Sequence, residues 1–538
     1  MSDQQLIRGT MILSAGIFMT KMLGLIYIFP FQAIVGLEGL ALYTYGYTPY
    51  TVLLSLATLG VPLAVSKFVS KYNALGDYRT GQRLLKSGLV VMSATGFFAF
   101  MVLFLLAPLI AGHVLDPDSL DGNTVDDAVF TIRMVSVALL VVPVMAIIRG
   151  YFQGHQSMGP TALSQVVEQI VRIAFILVLT YLIIEVFNGD LGTAVGFATF
   201  GAFVGALGGL AVLLAYWYRR KRALDQQAAE SAEDFQIPLP AMYKELFRYA
   251  IPISFVGLAI PLYQTVDLLT FNPAMLDIGY TLEQAEQYYA AFTQASHKLI
   301  MIPVSVATAM SLTILPTITN AYINEDNERL HRTITQAYQI IFFLSIPAAV
   351  GLAVLADPIY TTLFSAEDVD VGGYILTRYA PVAVAFSVFA VTASLLQGIN
   401  RQMYAVIALS VGVLFKLLTN QLFIGWFDAT GAVLSTGGGY VLAIAVNMYA
   451  IGKFAAYDYA VIWKRLLLIT GFSAAMGATV AYIYAGLTRW LSIYVWTESV
   501  MILVITVGSG LVVYVYLSYR SGLAGMVLGE RFPGLKKE

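Results

Sequence analysis

The chain has 538 residues, of which 59% are hydrophobic and 12% charged, and a formal net charge of −2, whereas an ordinary soluble protein is roughly a quarter charged. That excludes a soluble globular protein, because the polar shell needed to cover so much apolar surface is missing, and it leaves no basic excess for nucleic acid. Cysteine is absent and the four histidines, His113, His155, His297 and His331, have no ligand spacing, so disulfides, thiolate chemistry and a protein-bound metal are not expected.

Apolar runs long enough for a bilayer, about 20 residues each, predict fourteen spans at 8–35, 42–69, 87–112, 129–150, 161–186, 192–218, 247–271, 287–321, 334–363, 374–396, 403–426, 432–453, 466–487 and 499–518. The first opens MSDQQLIRGTMILSAGIFMT without a small-residue cleavage signal and reads as a retained span. Runs of this length without ten-residue alternation predict helices, not a barrel. The expected fold class is therefore an all-α polytopic membrane protein.

Basic residues collect in KFVSKYNALGDYRTGQRLLK, RRKRALDQQ, NEDNERLHR, KFAAYDYAVIWKR and the tail RFPGLKKE, while HVLDPDSLDGNTVDD, NPAMLDIGYTLEQAEQ and SAEDVD are acidic. The positive-inside rule then places the first set, and both termini, in the cytoplasm. Asp116, Asp118 and Asp121 lack an ordered ligand framework and read as a solvated acidic turn.

The chain also carries an internal repeat. RGYFQGHQSMGP closes the fourth span and SLLQGINRQMY the tenth, and a basic residue, Arg172 or Lys416, stands nineteen residues after the glutamine of each. Arg133 and Arg378 occupy matching outer positions, and LIRGT at Leu6 echoes LFRYA at Leu246. A parallel duplication of six helices predicts two pseudosymmetric lobes around a central cleft, the layout of alternating-access carriers. The boundaries read as 1–222 for the first lobe, 223–245 for a cytoplasmic linker, 246–455 for the second lobe and 456–538 for two additional spans and a cytoplasmic tail.

Lys21, Arg172, Lys298 and Lys416 fall within spans, against Glu168 as the clear mid-span acid and Asp267 nearer an outer end. A charge at the bilayer centre costs about 2.5–3.5 kcal/mol even on insertion scales, so these groups should face protein or water. A cationic interior favours an anionic, phosphate-bearing cargo over a proton or sodium relay. Two readings stand for Glu168 and Arg172, four residues apart: mutual neutralisation on one helix, or a place in the site. Lys21 and Lys416 either line the cleft, or snorkel or bind a buried carbonyl. Gly24, Pro30, Gly36 and Pro49, with Pro252, Pro261, Pro303 and Pro316, supply bends.

With ASHKLIMIPVSVATAMSLTILPTIT in the eighth span, this arrangement resembles the MurJ-like lipid II flippases of the multidrug/oligosaccharidyl-lipid/polysaccharide exporter superfamily. LIRGTMILSAGIFMTKMLGLIYIFPF and YGYTPYTVLLSLATLGVPLAVSKFVSKYNALGDY are similar to the branch of Gram-positive Bacillus-like bacteria known as polysaccharide biosynthesis proteins. The resemblance implies a plasma-membrane flippase whose cationic cavity receives the diphosphate of an undecaprenyl-linked peptidoglycan precursor. Lys21, Lys298, Arg172 and Lys416 take the diphosphate-binding places, and Glu168, His297, Arg149 and Asp267 the gating or accessory ones. The family's Arg-Asp pair in the first span is absent, as are the acids around His297-Lys298. The last two spans correspond to a groove for the lipid tail.

The partners implied are a polyprenyl-linked lipid, membrane lipids and cell-wall synthesis machinery, with no cofactor and with coupling to the membrane potential or an ion. Flipping of another polyprenyl-linked glycan is the nearest alternative. Multidrug efflux would need more interior acids, and a membrane glycosyltransferase would need a larger loop carrying a base or metal ligands.

Overall fold

Lipid offers no partner to a backbone N–H or C=O, so a chain this apolar satisfies itself through helices. The computed structural model describes residues 3–58, 60–116, 121–231, 233, 235, 237–246 and 257–528. The helices are α1 (Asp3–Ile26), α2 (Ile28–Thr58), α3 (Val61–Ala74), α4 (Tyr78–Val114), α5 (Val125–Ser136), α6 (Val142–Gly154), α7 (Met158–Tyr181), α8 (Leu191–Ala229), α9 (Ala259–Asp277) and α10 (Leu282–Ala290). They continue as α11 (His297–Ile323), α12 (Asn327–Val354), α13 (Ala356–Leu363), α14 (Val369–Tyr379), α15 (Val382–Gly398), α16 (Gln402–Phe427), α17 (Ala429–Ala455), α18 (Ala460–Leu487), α19 (Trp496–Arg520) and α20 (Leu523–Leu528). Residues 239–246 are also helical. Side-chain caps mark several starts: Asp77 for α4, Thr124 for α5, Asp190 for α8 and Asp326 for α12 each accept from a first-turn N–H.

Among the described residues eleven helical segments are long and apolar enough to cross a membrane, or twelve if α14 and α15, bent by 44°, form one span. The apolar runs predict fourteen, and the difference has two sources. Ala15–Ala74 is a single run of 60 residues, about 90 Å of helix against a hydrocarbon core of about 30 Å, so it holds the first two expected spans. They part at Gly36, whose φ of 66° and ψ of −174° a side chain would oppose. The seventh expected span lies at 247–271, and its 247–256 portion is outside the described residues, as are Pro252, Asp118, the LFRYA sequence beyond Leu246 and the basic tail. The other expected spans meet their helical segments in order.

The chain divides into two compact units, Met1–Leu269 and Thr270–Glu538. In the first, Val65, Leu84, Met145, Tyr151 and Leu213 from α3, α4, α6 and α8 share one core. Within residues 223–245, expected as a linker, Leu224 and Met242 join the same core, as does Leu246 just beyond. The Asp77 carboxylate, which caps α4, also accepts from the Phe235 N–H at 3.1 Å. Ser231 Oγ accepts from Tyr78 N at 2.8 Å and donates to Gly76 O at 2.9 Å.

In the second unit α16 and α17 form a tight hairpin in which a Cβ on Gly431 would meet the Phe423 backbone at 2.1 Å. The additional helices α18 and α19 dock on α12 through Phe343, Ile469, Met476, Val480 and Tyr514. Tyr514 fixes the contact by donating to Phe343 O at 2.9 Å.

Candidate functional site

Gly201, Gly205 and Gly209 repeat every fourth residue along α8, the small-residue spacing that brings membrane helices close together. A Cβ on Gly205 would stand 2.7 Å from Arg172 Cβ and 2.8 Å from Glu168 O. The glycine stripe therefore seats α7 directly on α8 and fixes the backbone carrying these two charges.

Glu168 accepts from Arg172 at 2.6 Å along its own helix and from Arg149 of α6 at 2.8 Å. All three side chains are nearly buried, at 12–15% exposure. Arg149 Nε further donates to Ser164 Oγ at 2.9 Å, and Arg172 Nη1 reaches the Tyr47 hydroxyl of α2 at 3.4 Å. Tyr47 in turn stacks on Tyr43 at 5.2 Å. Two cations and one anion leave this cluster a net positive charge within a membrane-spanning layer.

The helix α1 lies on α7, with Gly16 against Ala162 and Gly24 against Gln169. Lys21, one helical turn from Gly24, is exposed and makes no ion pair among the described residues.

In the second unit a π-helical turn, Ala291–Ser296, separates α10 from α11. Such a turn carries a wider hydrogen-bonded loop and re-aims the helix beyond it. All six of its residues are buried. Immediately after it, His297 is buried with Nδ1 at 3.0 Å from the Tyr379 hydroxyl and its ring 6.0 Å from that of Phe386. Lys298 is half-buried and makes no ion pair among the described residues.

Lys416 sits elsewhere in that unit. It is fully buried, donates to Thr436 Oγ1 across the α16–α17 hairpin, and lies 5.8 Å from the Phe292 ring. This places it inside the helix packing, away from solvent. Asp267 is buried on α9 at 3% exposure.

The structure thus joins Arg149, Glu168 and Arg172, leaves Lys21 and Lys298 without ion pairs among the described residues, and encloses Lys416 and Asp267. Among the described residues no group of three histidine, aspartate or glutamate side chains could hold a metal ion. Tyr47, Tyr379 and Thr436 were not singled out by the sequence, since a tyrosine or threonine in an apolar run has no signature until its neighbour is known.

These features define a multi-pass helical membrane protein with cationic groups set inside its spans. The family described as "Polysaccharide biosynthesis protein" matches residues 6–322. "Lipid II flippase MurJ" of Bacillus subtilis (strain 168) is 45% identical over 535 residues, 99% of this chain and 98% of that protein. The fold is shared with "Lipid II flippase MurJ, inward closed conformation", at a TM-score of 0.68 and 16% identity over 95% of this chain and 99% of that one. It is also shared with an inward-facing multidrug resistance MATE family transporter of the MOP superfamily, at 0.64 and 16% over 81% and 95%. The chain belongs to the polysaccharide biosynthesis protein family.

Proposed function

We propose that this protein is a flippase that moves lipid II, an undecaprenyl-pyrophosphate-linked peptidoglycan precursor, from the inner to the outer leaflet of the bacterial plasma membrane by alternating access. The observation that carries the reading is the 45% identity to the Bacillus subtilis flippase along the full length of both chains. The charge pattern supports it: Lys21 and Lys298 stand on membrane-spanning helices as cations without ion pairs among the described residues, while the one acid of the Arg149–Glu168–Arg172 cluster is shared between two guanidiniums.

In this mechanism Lys21 and Lys298 meet the diphosphate, with Arg172 lending its unneutralised share of charge through the Tyr47 edge. Arg presents a planar fork that suits phosphate oxygens, and Lys a compact point charge. Lys416, enclosed against Thr436, acts as an internal cation of the second lobe and gains access to cargo only if α16 and α17 part. The lobes correspond to 1–222 and 246–455, both termini are cytoplasmic, and the polyprenyl tail stays in lipid beside α18 and α19. Outward movement of a net negative head is favoured by an inside-negative potential, at about 2.3 kcal/mol per charge per 100 mV.

The test is outer-leaflet accessibility of lipid II in cells depleted of their own flippase and supplied with this chain. Wild type restores it, and Lys21→Ala and Lys298→Ala, at matched expression, reduce it at least tenfold. Full restoration by both variants rules out the diphosphate cradle. The family description also fits a second cargo, another polyprenyl-linked glycan, which the same cells would reveal by restored surface polysaccharide with lipid II unmoved.

A further inference from the structure

At the end of the second unit where α9 stops and α16 turns into α17, three tyrosines from separate elements converge. Tyr280 follows α9, Tyr288 belongs to α10 and Tyr374 to α14; the rings of Tyr280 and Tyr288 are 5.9 Å apart at 89°, and those of Tyr288 and Tyr374 6.1 Å apart at 71°. All three are partly exposed. Two charges stand beside them. The Arg378 guanidinium lies 3.5 Å over the Tyr374 ring, steadied by a hydrogen bond to Tyr374 O at 3.1 Å, and is exposed. Asp428, at the α16–α17 turn, is exposed as well.

Neither charge is consumed. Arg378 and Asp428 make no ion pair among the described residues, and the Asp428 side chain does not cap α17 although it occupies the N-cap position. The carboxylate is held there by backbone: Asp428 has φ 53° and ψ −147°, a region a β-carbon disfavours, locked by Gly431 N donating to Asp428 O at 2.8 Å. Thr430 Oγ1 donates to the Tyr374 hydroxyl at 3.1 Å and fixes that ring. That bond, two residues beyond Asp428, ties the turn carrying the carboxylate to the aromatic group, and the Tyr280 hydroxyl, in the connection after α9, has its pKa raised by burial and by the negative charge of Asp428.

Aromatic faces are electron-rich and take the weakly positive C–H face of a sugar ring. A stacked guanidinium keeps its donor edge free, and a carboxylate accepts from vicinal hydroxyls. Faces, donor edge and acceptor together match the needs of a glycan and leave a plain apolar or phosphate ligand poorly served, since a phosphate would meet Asp428 and an apolar chain would bury both charges.

We propose that Tyr280, Tyr288, Tyr374, Arg378, Asp428 and Thr430 form a glycan-binding shelf that takes the sugar portion of the transported lipid at the outer end of the second unit. The proposal rests on the flippase reading for its cargo and on the positive-inside assignment for its side. It adds a place where the headgroup is held after leaving the diphosphate site.

The test uses the full chain purified in nanodiscs and a water-soluble probe, the disaccharide peptide cut from lipid II so that it lacks diphosphate and polyprenyl chain. Saturation of the tyrosine resonances is expected to transfer to the sugar-ring protons. Arg378→Ala, Asp428→Asn and Tyr374→Ala each weaken probe binding at least tenfold at unchanged melting temperature, and Tyr374→Phe, which keeps the face, weakens it less. No transfer to this probe or to a panel of other soluble wall glycans, or transfer untouched by the variants, overturns the shelf. Loss of a co-purifying protein in these variants with glycan binding unaltered also overturns it, and marks the patch as a protein interface. The two readings fail separately. Lipid II reaching the outer leaflet with no glycan bound defeats the shelf alone, while shelf-dependent binding of another glycan with lipid II unmoved defeats the cargo assignment and leaves the shelf standing.

Discussion

Glu168 of α7 and Arg149 of α6 are paired at 2.8 Å in the membrane-spanning layer, although nineteen residues separate them and Glu168 already holds Arg172 at 2.6 Å. One carboxylate therefore neutralises half of each of two guanidiniums. Removing it leaves both cations nearly buried with no counter-charge, and breaking such a pair costs about 3–5 kcal/mol. Glu168→Gln is expected to lower the melting temperature of the purified protein strongly. The double variant Glu168→Gln/Arg149→Gln recovers part of the loss, because one of the stranded charges is gone. Additive losses in that double-mutant cycle would show that the pair is not coupled.

The helices of this protein were largely legible because bilayer thickness imposes one length scale, and a chain crossing it writes that scale as apolar runs. The π-helical turn before His297 was not, since it inserts within one continuous apolar pattern and carries Phe292, which packs against Tyr379 at 4.8 Å from a distant stretch of the sequence. Arg149 read as a charge near a span end, and only the antiparallel return of α7 beside α6 brings it to Glu168. Lys416 was legible as an intramembrane cation but not as an enclosed one, because its partner Thr436 lies across the hairpin. The docking of Leu224, Ser231, Phe235 and Met242 was hidden for a related reason: a polar stretch reads as linker until Asp77 is seen to accept from Phe235 N and Tyr78 N to donate to Ser231 Oγ.

The glycine stripe of α8 gives a sharper steric test. Gly205→Leu adds a side chain where even a Cβ meets Arg172 and Glu168 below 3 Å. Overpacking of this kind costs about 1–3 kcal/mol, and it pushes α7 away from α8, moving Arg172 off Tyr47. Both melting temperature and lipid II accessibility are expected to fall. Gly112→Ala, where nothing stands within 4 Å, serves as the control and stays within about 1 kcal/mol of wild type.

Asp77 joins two roles in one carboxylate, capping α4 through Thr80 N at 2.9 Å and holding Phe235 N at 3.1 Å. Asp77→Ala leaves the buried Thr80 donor without that acceptor, at about 1–3 kcal/mol, and releases the Phe235 N–H on the exposed side. Its diagnostic effect is local: protease sensitivity and amide exchange rise in 224–246 while α16 and α17 remain protected. Asp77→Asn keeps an acceptor and is expected to fall between wild type and alanine.

Asp190 offers a titration with a defined sign. Its carboxylate accepts from Thr193 N at 2.7 Å at the start of α8, and that hydrogen bond holds its pKa below the usual carboxylate range. The group is largely exposed, so solvent screens it, and Asp190→Ala should cost about 1 kcal/mol, as for other N-caps. Because the folded pKa is depressed, this stability is fully present above the unfolded value of about 3.9 and disappears as pH falls through the folded one. The gap in melting temperature between wild type and Asp190→Ala is therefore expected to hold constant from neutral pH down to about 5 and to narrow below about 4. Asp190→Asn caps without titrating, so its gap from alanine should not narrow over the same range. If wild type and Asp190→Asn keep a fixed separation through the acid limb, the Thr193 hydrogen bond does not set the charge state of Asp190.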